Sequence, residues 1–549
     1  MASSSFAKLL ALAGFLTAIS GIPVQNDDLF ELSVVHVNDF HARYEQTSPS
    51  GGNCKNQDNC VGGFSRMLVQ LQEMKKRNPS ALFFNAGDNF QGTWYYTSGK
   101  WNITQHFMAK FPWDAITLGN HEFDDKLDGL VPFMKQLKTP FVIANLDHSD
   151  EPRFERLYSK SVVIERSGKK IGVIGALTYE MLDSPNLENL RIYPESPSIN
   201  AEAERLVRDE GVFTVIVLSH AGYEVDKIIA ANASEKIGLI VGSHTHSFLW
   251  TGTNYPGYEE AVGPYPTVVR SKHHKDVLIV QASAFARYVG NITVFYNSEG
   301  DILDYSGAPI YLKNSLPQEK KVDAEMLSWK SKLRSSESSV IGTILGNLDL
   351  GCYNKECTLA DVIADGMAYA FADKSEPSSA KNAPIAIMNA AGMCAGMEKG
   401  EITYYDAWMS QPYNNTIEKG QIRGSHLKDL FEQGAPADNY IASYSNLNIL
   451  QVSGVQIVYN LTRPRGSRVT SLKIRCQECD NDIYQDLNPD QKYDIVYQSY
   501  LKSNDKFSIL GKSVDKVEIG KTDLEVFLEY MEANSPLYQR IEGRITVTT

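Results

Sequence analysis

The sequence predicts an α/β protein in which two domains are joined by a helix. Its 549 residues are more than one hydrophobic core accommodates, and its hydrophobic fraction of 43% is ordinary for a globular protein. In the first half, short runs rich in Val, Ile, Leu and Phe alternate with amphipathic stretches. A segment with helical spacing follows, and a second mixture of helical and strand patterns completes the chain.

The first domain is predicted over residues 28–316 as a layered α/β unit. Its apolar runs have the length of strands, and strands that are apolar on both faces are covered on both sides. The runs are Leu32–Val37, Ala81–Phe84, Ile171–Ile174, Val212–Leu218 and Ile237–Val241.

A solvated linker helix is predicted over residues 317–339, followed by a second α/β domain over residues 340–549. The linker has apolar residues at helical spacing amid Lys, Glu and Ser. These residues are Val322, Met326, Trp329 and Leu333. The second domain combines helical segments such as Leu359–Phe371 with several short strands.

The net charge and the first residues bear on partners and location. A formal net charge of -13 argues against nucleic-acid binding, because neutralising many phosphates needs a basic surface. Residues 1–21 are predicted to be an export signal, since Lys8 precedes an apolar run from Leu9 to Ile19. That run is shorter than the roughly 20 residues of a membrane-spanning helix. The C-terminal residues also lack the hydrophobic tail of a lipid-anchor signal, so a secreted, extracellular protein without an anchor is expected.

Glycosylation and cysteine patterns agree with export. Five N-x-S/T sequons occur, at Asn102, Asn232, Asn291, Asn414 and Asn460. Six of the seven cysteines form close pairs that indicate local disulfides, namely Cys54 with Cys60, Cys352 with Cys357, and Cys476 with Cys479. The last pair is also the spacing of a redox motif or half a zinc knuckle, but no second Cys or His pair lies near it. Cys394 is either a buried thiol or an intermolecular link.

Five segments of the first domain share one pattern, in which metal-seeking polar residues follow an apolar strand. The segments are Val35–His41, Asn85–Asn89, Leu118–Asp124, Leu218–His220 and Val241–His246. The carboxyl ends of strands form the site crevice of open α/β sheets, so residues distant in sequence are expected to converge there. A carboxylate can bridge two cations while imidazoles and an amide oxygen complete each coordination shell.

Alternation supports the same metal centre. Asp39 and His41, and likewise His244 and His246, are two residues apart, so on an extended segment both side chains of each pair point the same way. A single histidine in such a place is more often a satisfied interior imidazole. Five strand-end clusters together favour a dinuclear centre.

At these residues the chain resembles the calcineurin-like metallophosphoesterases, and specifically the 5′-nucleotidase family. The matching motifs are His-Val-Asn-Asp-Phe-His (36–41), Asn-Ala-Gly-Asp-Asn (85–89), Gly-Asn-His-Glu-Phe-Asp (119–124), Ser-His (219–220) and Gly-Ser-His-Thr-His (242–246). The resemblance extends over nearly the whole mature chain. It implies an N-terminal metallophosphoesterase domain and a C-terminal nucleotide-binding domain.

The resemblance also implies a role for individual residues. One metal would be held by Asp39, His41 and His246, a second by Asn120, His220 and His244, and Asp88 would bridge both. The two ions are expected to be zinc, with manganese, magnesium or calcium as alternatives. His121 and Asp124 would form the catalytic dyad, and Arg43 matches a family arginine near the phosphates.

In the second domain the resemblance implies a nucleotide pocket that has lost its arginines. Tyr413 and Tyr500 occupy the positions of two rings that sandwich the base, Asp505 that of a ribose-binding acid, and Asn389 begins a loop that lines the pocket. Where the family has arginines, this chain has Tyr353 and Cys394. Charge-assisted hydrogen bonds contribute roughly 1.5–3 kcal/mol each, so ground-state affinity and substrate choice are expected to differ.

Within the family the chain looks most like secreted salivary apyrases of blood-feeding arthropods. That likeness implies removal of the terminal phosphate from extracellular ATP and ADP, and through it inhibition of platelet aggregation. Two alternatives remain. One is a 5′-nucleotidase that acts on AMP, and the other is a binding protein with an eroded pocket that sequesters nucleotides or engages a host platelet receptor.

Overall fold

The computed structural model describes residues 29–55, 57–182, 184–257, 259–330, 339–352, 355–372, 384–436, 449–476, 483–503 and 507–548. The predicted export signal lies outside these residues. So do Tyr353, Cys479 and Asp505.

Fourteen strands and six α-helices are described as far as residue 330. The strands are β1 (Phe30–Val37), β2 (Leu82–Asn85), β3 (Ala115–Ile116), β4 (Leu146–Asp147), β5 (Ser161–Arg166), β6 (Lys169–Leu177), β7 (Arg191–Ile192), β8 (Thr214–His220), β9 (Ile237–Val241), β10 (Thr267–Arg270), β11 (Asp276–Val280), β12 (Tyr288–Tyr296), β13 (Ile302–Gly307) and β14 (Ile310–Tyr311). The helices are α1 (Phe64–Arg77), α2 (Trp94–Met108), α3 (Lys126–Gln136), α4 (Glu195–Arg205), α5 (Tyr223–Ala231) and α6 (Lys320–Lys330). Each of the five predicted apolar runs coincides with one of these strands.

Most of these strands form two mixed sheets. The first has the order β13-β12-β1-β2-β3, with β14 also paired to β12, and the second has the order β10-β11-β9-β8-β6-β5. In the first sheet β1, β2 and β3 are parallel, and in the second β6, β8, β9 and β11 are parallel. The carboxyl ends of the parallel strands therefore lie at one edge of each sheet.

Side-chain alternation along β1 explains how the two sheets are layered. Leu32 and Val34 face a core shared with the second sheet, whereas Val35 and Val37 face a core shared with α1, α2 and α3. Helices α4 and α5 cover the other face of the second sheet, through residues such as Ile199. The order of layers is helices, sheet, sheet, helices, which buries both sheets on both faces.

The second domain contains eleven described strands and six described α-helices. The strands are β15 (Val340–Ile344), β16 (Ile385–Asn389), β17 (Gly400–Thr403), β18 (Thr416–Arg423), β19 (Leu450–Ser453), β20 (Val455–Asn460), β21 (Val469–Arg475), β22 (Tyr484–Asp486), β23 (Lys492–Gln498), β24 (Asp515–Thr522) and β25 (Ile545–Thr548). The helices are α7 (Thr358–Ala370), α8 (Tyr404–Ser410), α9 (Gly424–Gln433), α10 (Ser499–Ser503), α11 (Ser508–Ser513) and α12 (Asp523–Asn534).

A central sheet of order β19-β16-β23-β18-β24 organises the second domain. Ala386 and Met388 of β16 face helices α7 and α12. Ile385 and Ile387 face α9 and a four-stranded sheet of order β22-β21-β20-β25. The protein is therefore an α/β protein with two domains, as predicted.

The connection between the domains differs from the prediction in one respect. Helix α6 lies within the predicted linker, but Val322 and Met326 are buried in the core beneath α1 and α2, and Trp329 packs at its edge. The helix is thus anchored on the first domain rather than fully solvated. A second contact between domains joins α2 to α8, where the rings of Trp94 and Trp408 meet edge to face at 5.1 Å.

The disulfide predictions are confirmed for two pairs, Cys54 with Cys60 and Cys352 with Cys357. Cys476 is also disulfide-bonded, while its predicted partner lies outside the described residues. Cys394 is buried and forms no disulfide with another described residue of the chain. Among the described residues, none of the helices has the length and apolarity needed to cross a membrane.

Candidate metal centre

Two compact groups of metal-ligating side chains lie where the five polar segments follow their strands. In each group, the candidate ligand atoms of three residues lie within 4.8 Å of one another. The first group is Asp39, His41 and His246, and the second is Asp88, His220 and His244. Segments that are more than 200 residues apart in sequence thus contribute to one site.

Asp88 joins the two groups. Its Oδ2 atom lies 3.1 Å from Nε2 of His220 and 3.6 Å from Nε2 of His41. The Nε2 atom of His41 is in turn 3.0 Å from Nε2 of His246. A carboxylate placed between two sets of imidazoles has the geometry of a bridging ligand.

Alternation predicted extended backbone at these residues, and that prediction is wrong. Five of the seven predicted ligands have positive φ, and they are Asp39 (49°), His41 (48°), Asp88 (54°), His244 (72°) and His246 (49°). The polar residues follow the strands in tight turns, where left-handed backbone reverses the chain. Asp39 and His41 share one group, whereas His244 and His246 belong to different groups. Left-handed backbone is unfavourable for residues other than glycine, and strain of this kind concentrates at functional sites.

Buried contacts hold the first turn in place. Asn38 donates from Nδ2 to Oδ2 of Asp39 at 2.7 Å, and its Oδ1 accepts the backbone N–H of Ala282 at 3.0 Å. The backbone N–H of His244 donates to Asp39 at 3.1 Å. Near the second turn, residue 119 must be glycine, because a Cβ there would overlap Oδ1 of Asp88.

The surroundings of His220 and Asn120 suit the ligand roles predicted for them. The Nδ1 atom of His220 lies 2.7 Å from the carbonyl oxygen of Ala86 and 2.8 Å from Oγ of Ser243, which turns Nε2 toward Asp88. A backbone carbonyl that fixes the ring of a ligating histidine in this way is a common feature of metal sites. The Oδ1 atom of Asn120 is buried and has no hydrogen-bond partner among the described residues. An unsatisfied buried amide oxygen fits the place that a divalent cation would occupy.

The electrostatics of the groups suit cations. Burial lowers the pKa of His41 to about 3, so its imidazole is neutral at physiological pH. Burial would raise the pKa of Asp88, but the imidazoles of His220 and His121 hold it well below its ordinary value. Burial also opposes protonation of His220, yet Asp88 raises that pKa to about 9. A metal ion must displace that proton, so metal binding is expected to weaken as the pH falls.

His121 and Asp124 form a hydrogen-bonded pair beside the two groups. Nδ1 of His121 lies 2.8 Å from Oδ2 of Asp124. Burial would lower the pKa of His121, but Asp124 and Asp88 outweigh it and raise the pKa to about 10. In the absence of metal ions these two carboxylates therefore favour the protonated imidazole.

Arg43 is buried at the same site with part of its guanidinium unsatisfied. Its NH1 group donates to the carbonyl oxygens of Gly92 and His41, and the guanidinium lies 4.5 Å above the ring of Phe285. Its Nε and NH2 atoms have no hydrogen-bond partner among the described residues. Burial lowers the pKa of Arg43. A buried cation with unused donors is a favourable neighbour for a phosphate.

The second domain contributes some of the predicted substrate residues to this site. The ring of Tyr413 stacks on His121, and its hydroxyl accepts a hydrogen bond from the thiol of Cys394 at 3.4 Å. Asn389 lies at the end of β16, which pairs in parallel with β23, and Tyr500 follows β23 on α10 with 45% of its surface exposed. The predicted positions Asp505 and Tyr353 are outside the described residues.

Glu122 and Phe285 also lie at the site, although their sequence positions predict no role for them. Glu122 is fully buried and accepts backbone N–H groups from both loops beside Asp88. Phe285 has the guanidinium of Arg43 near its ring and that of Arg287 at 5.3 Å. Glu122 belongs to the 119–124 motif, which was the available signal, whereas nothing in the sequence marks Phe285.

Comparison with known families assigns both halves of the chain. Residues 32–248 match the family described as calcineurin-like phosphoesterase, and residues 340–512 match the 5′-nucleotidase C-terminal domain. The first match contains every residue of the two groups and the dyad. The second contains Asn389, Tyr413 and Tyr500.

Individual relatives span nearly the whole length. An apyrase from Tabanus yao is 40% identical over 532 residues, which cover 96% of this chain and 96% of the relative. The 5′-nucleotidase of Mus musculus is 31% identical and covers 94% of this chain and 90% of its own length. Among solved structures, a 5′-nucleotidase precursor from Thermus thermophilus superimposes with a TM-score of 0.81 at 28% identity, over 94% of this chain and 99% of that one.

Proposed function

The chain belongs to the 5′-nucleotidase family of calcineurin-like phosphoesterases and is a metal-dependent hydrolase of nucleotide phosphates, and we propose that it removes the terminal phosphate of ATP and ADP outside the cell. The observation that carries the proposal is the joint presence of two adjoining groups of metal-ligating residues and a buried arginine with unused donors. The first supports hydrolysis of a phosphate, and the second supports a substrate with more than one phosphate.

We assign the metal-binding roles as follows. Asp39, His41 and His246 would hold one divalent ion, Asn120, His220 and His244 a second, and Asp88 would bridge them. Imidazole and carboxylate ligands favour zinc, with manganese as the next choice. When bound, such a pair activates a water for attack on phosphorus and neutralises charge on the phosphate oxygens.

His121 acts on the phosphoryl group. Its imidazole, oriented by Asp124, would donate a hydrogen bond to the negative charge that develops on the transferring group and supply a proton to the leaving oxygen. Asp124 keeps the proton-bearing Nε2 directed away from the carboxylate. This pair would contribute to the chemical step without being part of either metal group.

Arg43 and the second domain would select the nucleotide. The unused Nε–H and NH2 donors of Arg43 suit a phosphate oxygen, and the ring of Tyr413 lies against His121 at the same site. Cys394, where the resemblance places an arginine, is a buried neutral thiol against Tyr413. A monophosphate therefore has few cationic contacts besides the metals, whereas ATP and ADP add a second phosphate for Arg43 to bind.

Export and glycosylation belong to the same proposal. The predicted signal at residues 1–21 and the five sequons support a secreted glycoprotein, and extracellular ATP and ADP are the substrates that such a protein would meet. Removal of extracellular ADP would inhibit platelet aggregation.

The test is a comparison of kcat/KM for ATP, ADP and AMP. In the wild type we expect ATP and ADP to exceed AMP by at least about tenfold, the effect of one charge-assisted hydrogen bond. The double variant Cys394→Arg, Tyr353→Arg should improve AMP selectively, and Cys394→Ser, which adds no charge, should not. AMP as the best substrate would instead establish the monophosphatase. A protein that binds both metals but cleaves none of the three would be a binding protein.

A further inference from the structure

The carboxylate of Glu122 is fully buried next to the centre but does not face it. It lies in a single 3-10 turn, His121–Phe123, directly after Asn120. Its two oxygens are directed at backbone N–H groups rather than at the ligand atoms. Glu122 is therefore neither a candidate ligand nor a candidate proton donor.

Glu122 bridges two loops through four hydrogen bonds. Its Oε2 accepts the N–H groups of Asp88 at 2.9 Å and Gly119 at 2.6 Å. Its Oε1 accepts those of Asn89 at 2.6 Å and Phe90 at 3.3 Å. One side chain thus ties the loop after β2 to the loop after β3.

The same turn also holds the side chain of Asp88. Oδ1 of Asp88 accepts the backbone N–H of His121 at 2.9 Å, while the backbone N–H of Asp88 is bound by Glu122. Asp88 has a φ of 54°, a conformation that a residue with a side chain does not favour. Without the contact from Glu122, the loop would be expected to relax and carry the bridging carboxylate away from Asn120.

We propose that Glu122 is a positioning residue that fixes the loop of Asp88 against the turn of Asn120 and His121, and so sets the affinity of the centre for divalent metals. It acts through the residues it holds, since the hydrogen-bond partners of its oxygens within the described part of the chain are backbone N–H groups. Residues that orient metal ligands typically change affinity by about 10- to 100-fold when replaced. The inference rests on the proposed function in that the centre must bind metals.

Glu356 provides a matched control. It is also a buried glutamate that accepts three backbone N–H groups, from Glu542 at 2.6 Å, Gly543 at 3.2 Å and Ile545 at 3.2 Å. Its contacts tie the C-terminal segment of the second domain to the start of α7. Glu356→Gln should therefore show how the loss of a buried carboxylate that accepts several backbone N–H groups affects stability, away from the metal centre.

The experiment measures zinc dissociation constants and thermal midpoints of the metal-free and metal-loaded full chain. Glu122→Gln replaces one acceptor oxygen with a donor that faces N–H groups, and we expect at least a tenfold weaker zinc affinity. Glu122→Asp keeps the charge but shortens the side chain, so it should fold and show a smaller loss of affinity in the same direction. Glu356→Gln should lower the thermal midpoint and leave zinc affinity unchanged.

The outcomes separate the two proposals. Wild-type zinc affinity in both Glu122 variants, whatever their thermal midpoints, would overturn the positioning role. Equal loss of affinity in the Glu356 variant would overturn it as well, because the effect would then reflect general destabilisation. A wild type that binds zinc but hydrolyses no nucleotide would overturn the proposed function and leave the role of Glu122 intact. Excess zinc should restore activity to the Glu122 variants if their defect is affinity.

Discussion

The imidazole of His121 and the ring of Tyr413 stack on each other, with 5.8 Å between their centroids and 24° between their planes. His121 belongs to the first domain and Tyr413 to the second. The dyad is thus in contact with the surface that the second domain brings to the metal centre, together with the nearby contact between Arg43 and Met409. The proposed active site is therefore built from residues of both domains.

We expect Tyr413→Ala to reduce kcat/KM for ATP by about five- to tenfold. Aromatic contacts contribute roughly 0.5–1.5 kcal/mol beyond the area they bury, and 1.4 kcal/mol corresponds to a factor of ten. Tyr413→Phe keeps the ring and removes only the hydroxyl that contacts Cys394, so its rate should stay within about twofold of the wild type. Equal losses in the two variants would mean that the hydroxyl, not the ring, matters.

Removal of metal should abolish hydrolysis. Phosphate release after chelation and dialysis should fall to background, and added zinc or manganese should restore it. Asp88→Ala should lose more metal and more activity than His246→Ala, because Asp88 adjoins both groups and His246 only one. Metal content by elemental analysis, measured with the rate, checks the order. Undiminished activity in metal-free protein would contradict the mechanism.

His121→Ala should lower kcat by at least about a hundredfold while metal content stays nearly unchanged. The reason is that its imidazole contacts Asp124 and lies beside the centre without being one of the predicted ligands. Asp124→Asn should have a milder effect, since it alters the orientation and pKa of the imidazole but leaves it in place. Loss of metal in the His121 variant would show that this division between ligands and dyad is wrong.

Stability should depend on pH through Asp361 of the second domain. Burial raises its pKa to about 8, although Arg544 lies 3.7 Å away and opposes the shift. In the unfolded chain the value is about 3.9. Between these values only the folded state holds the proton, so the free energy of unfolding falls as the pH rises toward 8, by up to about 1.4 kcal/mol per pH unit.

Asp361→Asn removes that titration. Urea unfolding from pH 5 to pH 9 should therefore give a flatter profile for this variant than for the wild type, whose stability declines across the range. Asp429→Asn changes an exposed carboxylate on α9 and should leave the wild-type profile unaltered. Parallel profiles for wild type and Asp361→Asn would mean that Asp361 is already ionised in the folded protein.

The fold was predictable because a strand that is buried on both faces appears in the sequence as a continuous apolar run, which can be recognised without knowledge of distant residues. Apolar runs such as Ile237–Val241 coincide with strands, and the helix predicted at Leu359–Phe371 is α7, Thr358–Ala370. The anchoring of α6 was not predictable from its own sequence. Val322 and Met326 fit a solvated amphipathic helix equally well, and only the surface beneath α6 buries them.

The grouping of the site could be anticipated, but its backbone could not. Polar residues after strands indicated where the side chains converge, whereas the left-handed turns at Asp39 and His41 depend on contacts with distant loops. The hydrogen bonds of Glu122 could not be predicted for a related reason. Its partners are backbone N–H groups, which every residue has, so no residue type in the sequence identifies them.

The left-handed ligands have a consequence for how this protein tolerates change. At each of these five positions, the left-handed backbone costs Asp or His roughly 1–2 kcal/mol of conformational free energy relative to glycine. A laboratory selection for heat resistance alone should therefore favour glycine at these positions. Such substitutions would remove metal ligands before any residue of the sheets is replaced. Asp and His at these positions therefore lower the stability of the scaffold, and their metal-binding chemistry accounts for their presence.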